Sequence, residues 1–460
     1  MTPADRADVI VCGGGLAGVS AALASARAGA ETVLIERESY VGGIPARGIC
    51  SSIFNCYATA GGEQAITGLP VEIADALAAD AGYGRRWREH AGPIVFDTEG
   101  ARRVLAEMLQ EAGARTLLDA TVVGALTDGN VIRGVEIECA SGHEEREARV
   151  VVDCTGTAEV AAVAGAKLRT SERAPGRAFS IRIGNVDLDA LAGFYEVHPD
   201  EYPAYMDVNW SAAEALAAWR ATGAFVLPHG GPRFTKIVSD AAEDGGFAHG
   251  FGLHGSPGTA QTHGLRSTGV LQVVTGLLGA DPSDQDDISR EIDEARSLAQ
   301  AVVERLREEM PGFGRAYICG TAERLGAPPA RWSEGAVEFT REMRAEGARF
   351  DDAVGRGACY HQETKSDAPD AWRAQVMGDQ TFDLPWRSLL PIGVEGLLMG
   401  SGRTVSGDSP TVLWVMALTM MVGQAAGAGA AVASRSNQPP RAVAAHEVQE
   451  KLARQGVELN

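Results

Sequence analysis

Lysine is scarce in this chain. Only Lys167, Lys236, Lys365 and Lys451 are lysine among 41 basic residues, a bias that carries no functional reading. Positive charge is short as a whole: 61 Asp and Glu leave a net charge of −20. A chain this acidic repels phosphate backbones and anionic lipid surfaces, which excludes nucleic acid and membrane as expected partners. Cysteine is limited to seven scattered residues, an odd number, so a disulfide framework is not expected and a reducing, cytoplasmic setting is. No two cysteines have zinc-finger spacing, and no metal is expected. The start lacks a basic stretch before its first apolar run and reads as a short tail entering a strand rather than a signal peptide. Internal repeats and low-complexity linkers are also missing.

Glycine is what the chain has in excess, at 56 of 460 residues. Without a collagen period, that amount points to many tight turns or to a backbone that approaches a ligand closely. One uncharged stretch, 411–434, is long enough to span a bilayer, but its Ala-Gly run and Gln424 read as a buried core helix.

The clearest pattern lies in the first sixty residues. Asp8-Val-Ile-Val-Cys12 is a buried parallel strand, Gly13-Gly-Gly15-Leu-Ala-Gly18 opens an Ala-rich helix, and Thr32-Val-Leu-Ile-Glu36 is a second strand. In such a βαβ unit, the first glycine makes a tight turn, the second admits a pyrophosphate, and the third lets helix and strand pack. The helix N-terminus offers N–H groups to the phosphates, and the Glu36 carboxylate can accept both ribose hydroxyls. A helix from Thr98 to about Gly113, a strand at 116–118 and a three-stranded meander over 121–152 follow. A polar run, 281–290, precedes an amphipathic helix ending at Glu309. A second Gly-x-Gly-x-x-Gly at 250–255 has no strand before it and no helix after it, so it reads as a loop that matches by chance. That leaves one dinucleotide site.

The blocks 8–43, 151–166, 384–391, 395–406 and 423–431 together resemble the FAD-dependent oxidoreductases with a glutathione-reductase-type fold, and within them a fumarate-reductase-like lineage. The resemblance implies an α/β fold: a Rossmann-like FAD-binding domain with parallel sheet and β-meander, interrupted by a mixed α+β substrate domain. The expected divisions are 1–166 and 369–460 for FAD and 167–368 for substrate. It implies that Gly13, Gly15 and Gly18 hold the pyrophosphate and Glu36, followed by Arg37, the adenosine ribose. Gly42 and Gly43 would line the middle of the cofactor, Val123 the adenine, Thr155 and Gly156 the phosphates, and Gly402 and Arg403 the ribityl chain. The helix around 416–424, with Gly423 and Gln424, would aim its N-terminus at the flavin.

Substrate groups are sought among histidines, whose pKa suits proton transfer near neutrality. His254, His263 and Arg266 cluster in the middle region with His249, and His361 follows Tyr360 near the return. Arg47 stands beyond the Gly42-Gly43 turn, placed for the cofactor or an anionic substrate. Cys50 and Cys56 have five residues between them, the wrong spacing for a redox disulfide of this fold. The expected activity is hydride transfer between FAD and a small molecule. The alternatives are an aromatic hydroxylase, suggested by Gly407-Asp408, and a non-catalytic flavin carrier. Expected partners are a small-molecule substrate and, for assembly, a second copy of the chain in a homodimer.

Overall fold

The computed structural model describes residues 6–48, 52–53, 57–59, 62–80, 94–170, 177–202, 211–222, 226–227, 231–241, 250–256, 269–278, 284–324, 331–358, 380–409 and 412–459. The chain enters on β1 (Arg6–Cys12), whose β-branched run is buried from Val9 onward. After the glycine turn comes α1 (Leu16–Arg27), and β2 (Thr32–Ile35) returns parallel to β1 in the register Val9–Thr32 to Cys12–Ile35. The crossover is closed by α4 (Thr98–Glu111), introduced after α2 (Ile44–Arg47) and α3 (Leu69–Asp80). Its start follows the sequence: Asp97 accepts the Gly100 N–H at 2.7 Å, a side-chain N-cap.

Strand β3 (Arg115–Leu117) lies parallel to β2, then β4 (Thr121–Asp128), β5 (Val131–Cys139) and β6 (Gly142–Asp153) form the meander. The apolar far end of β6 pairs parallel with β1, giving the order β3-β2-β1-β6-β5-β4. A seventh strand, Leu397–Met399, arrives from far along the chain and pairs with β6 at Val151–Asp153. The sheet is thus α/β, with its parallel strands sharing one carboxyl edge.

A second, antiparallel sheet lies within the expected substrate region. It comprises β7 (Arg177–Val186), β8 (Val226–Leu227), β9 (Gly250–Ser256), β10 (Gly269–Leu278) and β11 (Tyr317–Thr321), in the order β8-β9-β10-β7-β11. Two readings are corrected here. The Gly-rich segment 250–255 is strand, not loop: its backbone pairs with both β8 and β10, partners that local sequence does not reveal. The polar run 281–290 is already helical from Gln285, because Asp284 accepts the Asp286 and Asp287 N–H groups and starts α5 (Gln285–Glu309). The expected boundary between 368 and 369 separates two strands that pair, β12 (Ala353–Ala358) and β13 (Thr381–Pro385). The strand Leu397–Met399 is β14 in this order.

The long uncharged stretch forms α6 (Met416–Ser436), whose residues from Ala417 to Ser434 are buried. It is long and apolar enough to cross a membrane by composition alone, yet it packs inside the protein. A Cβ on Gly423 would fall 2.2 Å from the Ala17 carbonyl oxygen, and one on Gly427 2.0 Å from that of Ala21. These glycines let α6 lie against the backbone of α1, which fixes the angle of the glycine turn above it.

Candidate functional site

The ends of β1, β2, β6 and β14 meet at the carboxyl edge of the sheet, where strand order reverses about β1. In open α/β sheets that crevice is where ligands bind. Gly13 sits at φ +96°, and a Cβ there would lie 2.7 Å from the Cys154 carbonyl oxygen. Gly18 is tighter still, its Cβ position being 1.8 Å from the Gly13 oxygen. Gly43, at φ +58°, brings its backbone against Gly15, and Gly15 bridges to Gly42. Each of Gly13, Gly18 and Gly43 therefore has a reason inside the protein to be glycine.

Gly15 has none. Its φ of −67° suits any residue, and a Cβ there would meet only the Gly43 Cα, at 3.9 Å. It is also the N-cap of α1, with no side-chain cap. An uncapped helix N-terminus behind a bare glycine leaves oriented N–H groups and partial positive charge facing the crevice. The free space over Gly15 fits a diphosphate pressed against the backbone.

Glu36 is 7% exposed at the end of β2. Its carboxylate accepts the Gly14 N–H on one oxygen and the Glu38 N–H on the other, at 3.0 Å for Glu38. Both bonds orient the group and leave lone pairs for vicinal hydroxyls. The Ala120 N–H donates to the Glu36 carbonyl at 3.0 Å, which sets the start of β4 beside it, and Val123 on that strand is 44% exposed. Arg37 is held by Glu159 through two contacts of 2.9 Å.

Behind the turn lies a residue that sequence reasoning missed. Asp153, wholly buried at the end of β6, accepts the Thr155 N–H at 3.0 Å, the Thr155 hydroxyl at 2.7 Å and the Ala161 N–H at 2.9 Å. It thereby holds Thr155 and Gly156 (φ +76°) over Gly13. Burial pushes its carboxyl up, against the three hydrogen bonds. The signal was present: an acid closing an otherwise apolar strand. Burial likewise pushes the Cys12 and Cys154 thiols well up, with the Asp153 charge adding to it, so neither is a thiolate.

Other expected residues have different surroundings. Gly402 is pressed on the turn before α6, its Cβ position being 2.1 Å from the Leu413 oxygen. Arg403 runs its stem past Gly156, with Cδ 3.8 Å from where a Cβ would stand. Gly423 packs on α1, as described, and Gln424 accepts the Leu69 N–H at 3.0 Å and donates to Gln455 at 3.3 Å. α6 itself begins uncapped by any side chain at Val415. Arg47 closes α2, and its carbonyl accepts the Glu323 N–H at 2.9 Å. The backbone of His254 lies in β9 opposite Val226 and Gln272. His249, His263, Arg266, Tyr360, His361, Cys50 and Cys56 lie outside the described residues.

The donor set fits FAD: bare backbone for a diphosphate, an oriented carboxylate for a ribose, and a cleft reached again by the far end of the chain. No curated protein matches the chain. Among solved structures it is similar to a geranylgeranyl bacteriochlorophyll reductase-like protein from Thermoplasma acidophilum (13% identity, 98% of this chain, 83% of that chain, TM-score 0.45). It is also similar to p-nitrophenol 4-monooxygenase from Pseudomonas putida (14%, 73%, 71%, TM-score 0.37) and anhydrotetracycline hydroxylase from Streptomyces rimosus (12%, 98%, 66%, TM-score 0.38). Likeness at this level transfers no reaction. The model of the FAD dependent oxidoreductase family, however, matches residues 8–452. The chain belongs to that family and is an FAD-dependent oxidoreductase.

Proposed function

We propose that this enzyme oxidises or reduces a small organic molecule by direct hydride exchange with FAD, as in the fumarate-reductase-like branch, without a second dinucleotide domain. The observation that carries the reading is the contrast between the two glycine motifs. Among the described residues one parallel βαβ crevice exists, and the second motif is an antiparallel strand. When bound, FAD supplies reversible two-electron chemistry at N5.

The chain's own residues bind and orient. The N–H groups around Gly15 and the first turn of α1 receive the phosphates, Glu36 the ribose hydroxyls, and Asp153 keeps the Thr155-Gly156 loop in place. The start of α6, uncapped by any side chain, would turn a positive dipole end toward the flavin. The region 167–368 would supply the substrate pocket, with His254, His263, His361 or Arg266 holding or moving the proton. Free Cys12, Cys139, Cys154 and Cys319 support a cytoplasmic setting.

What stands against the hydroxylase reading is Gly402-Arg403, which fits the dehydrogenase-like pattern better. Gly407-Asp408 makes contacts inside the protein and leaves the Asp408 Oδ1 buried without a donor. The Gly407 carbonyl accepts the Trp332 indole N–H at 2.7 Å, and one Asp408 oxygen accepts the Arg341 backbone and side chain at 3.2 and 3.3 Å. The test is anaerobic titration of the purified yellow protein with small-molecule donors, without NAD(P)H. Bleaching of the flavin band is expected with a substrate. Phenol-stimulated NADPH oxidation with oxygen uptake would instead establish the hydroxylase.

A further inference from the structure

At the opposite end of α1 from the crevice lies a cavity of about 400 Å³. Arg27 and Ala28 at the close of α1, Glu72 on α3, and Lys451, Arg454 and Gln455 at the close of α7 (Ala445–Arg454) line it. The length of α1, at about 1.5 Å per residue, separates it from Gly15 by roughly 18 Å, so it is no part of the crevice.

Its walls are set by bonds within the protein. Arg27 donates through both terminal nitrogens to the two Glu72 oxygens at 2.7 Å each, which ties α1 to α3 and spends that carboxylate. The Gln455 amide donates to the Ala24 carbonyl at 2.9 Å and accepts from Gln424 at 3.3 Å, which ties α7 to α1 and α6. Lys451, half-buried, has no acidic partner among the described residues. Arg454 meets Glu450 only at 3.9 Å, too far for a hydrogen bond. The lining thus sets three cations against one spent carboxylate, in a chain whose net charge is −20. A basic residue in a last helical turn complements the dipole, which gives each cation a reason singly. It gives none for three of them, from two helices, lining one cavity.

We propose that this cavity binds a small molecule bearing two or more negative oxyanion charges, held by Lys451 and Arg454 beside the Arg27–Glu72 pair. A preformed polar cavity of this size admits a ligand without reorganising. Arg454 offers a planar fork and Lys451 a point charge, and the bonds of both to an oxyanion are charge-assisted. The net charge of the chain repels such a molecule elsewhere, so local positive charge is what recruits it. The same chemistry comes from a polycarboxylate or from a phosphate ester, and citrate and inorganic pyrophosphate stand for the two.

The test is calorimetric titration of the FAD-loaded protein, its crevice filled, with citrate and with pyrophosphate, in the wild type, Lys451→Gln and Arg454→Gln. Saturable binding of one molecule per chain is expected for at least one probe, and each substitution should weaken it about tenfold or more. Binding of citrate alone assigns a polycarboxylate, of pyrophosphate alone a phosphate ester, and of both the shared oxyanion chemistry. FAD affinity in the same variants should match the wild type, because both residues lie at the far end of α1. No saturable binding of either probe to the wild type, or binding that survives both substitutions, overturns the proposal. A parallel loss of FAD affinity and probe binding also overturns it, since the effect would then belong to the crevice or to the fold.

Discussion

Gly13–Gly18 and Gly250–Gly255 carry the same glycine spacing, yet one opens a helix and the other runs through an antiparallel sheet. At the first, a buried parallel strand delivers the chain to a turn at φ +96°, and the end of β6 presses on it so closely that only glycine fits. At the second, β8 and β10 capture the segment from either side and draw it out straight. The spacing is therefore no site in itself. A strand behind it, a helix ahead and a neighbouring strand end above it make the cradle.

This contrast can be broken by substitution. Gly18→Ala should have the largest effect, since its Cβ would lie 1.8 Å from backbone oxygen. Overpacking of this kind costs about 3 kcal/mol or more, read as a lowered urea midpoint or loss of folded protein. Gly15→Ala should separate folding from binding. With 3.9 Å of clearance, the apoprotein should melt within a few degrees of wild type. Its FAD affinity should fall about 10- to 100-fold by fluorescence titration, the equivalent of 1–3 kcal/mol of overpacking. Equal loss of stability in both variants would show that Gly15 serves packing rather than ligand.

A smaller effect tests Asp153, which stands behind the first motif. Its carboxyl is raised above an unfolded value of about 3.9, so the native state binds more protons than the unfolded chain in that window. Its contribution is full below that value and is lost as pH rises through the native one. Denaturant midpoints measured from pH 3 upward should show this decline in the wild type, and Asp153→Asn should remove it. An identical pH profile in both proteins would contradict the assignment. The smallest effect belongs to Gly252→Ala in the second motif. FAD affinity should stay within about twofold of wild type, and strand stability should change by about 1 kcal/mol or less. A large loss of FAD there would dissolve the contrast altogether.

The parts legible in sequence are those where neighbours along the chain are also neighbours in space. The run from Asp8 to Glu36, the helix from Thr98 and the meander all obey local periods. Non-local contacts hid the rest. Gly423 and Gln424 were expected at the cofactor from the resemblance of their block; the contacts they make inside the protein, with Ala17, Leu69 and Gln455, are not visible along the chain. The strand at β9 was hidden because glycine has little strand preference of its own and pairing supplied it. Arg403 could be recognised beside its Gly402, but which acids fold near it, none of them paired with it among the described residues, is not legible along the chain.

Sequence by itself determined the entry strand, the turn, the helix and the acid at the end of β2, and with them the class of cofactor. The glycine excess was part of that, though it did not distinguish the glycines from one another. Only the tertiary structure did so. Gly13 and Gly18 are glycine because protein atoms stand where a Cβ would be, and Gly15 although none do. The reason is physical: a side chain's absence is explained by what occupies its place, which is the end of a distant strand at Gly13 and the folded turn's own backbone at Gly18.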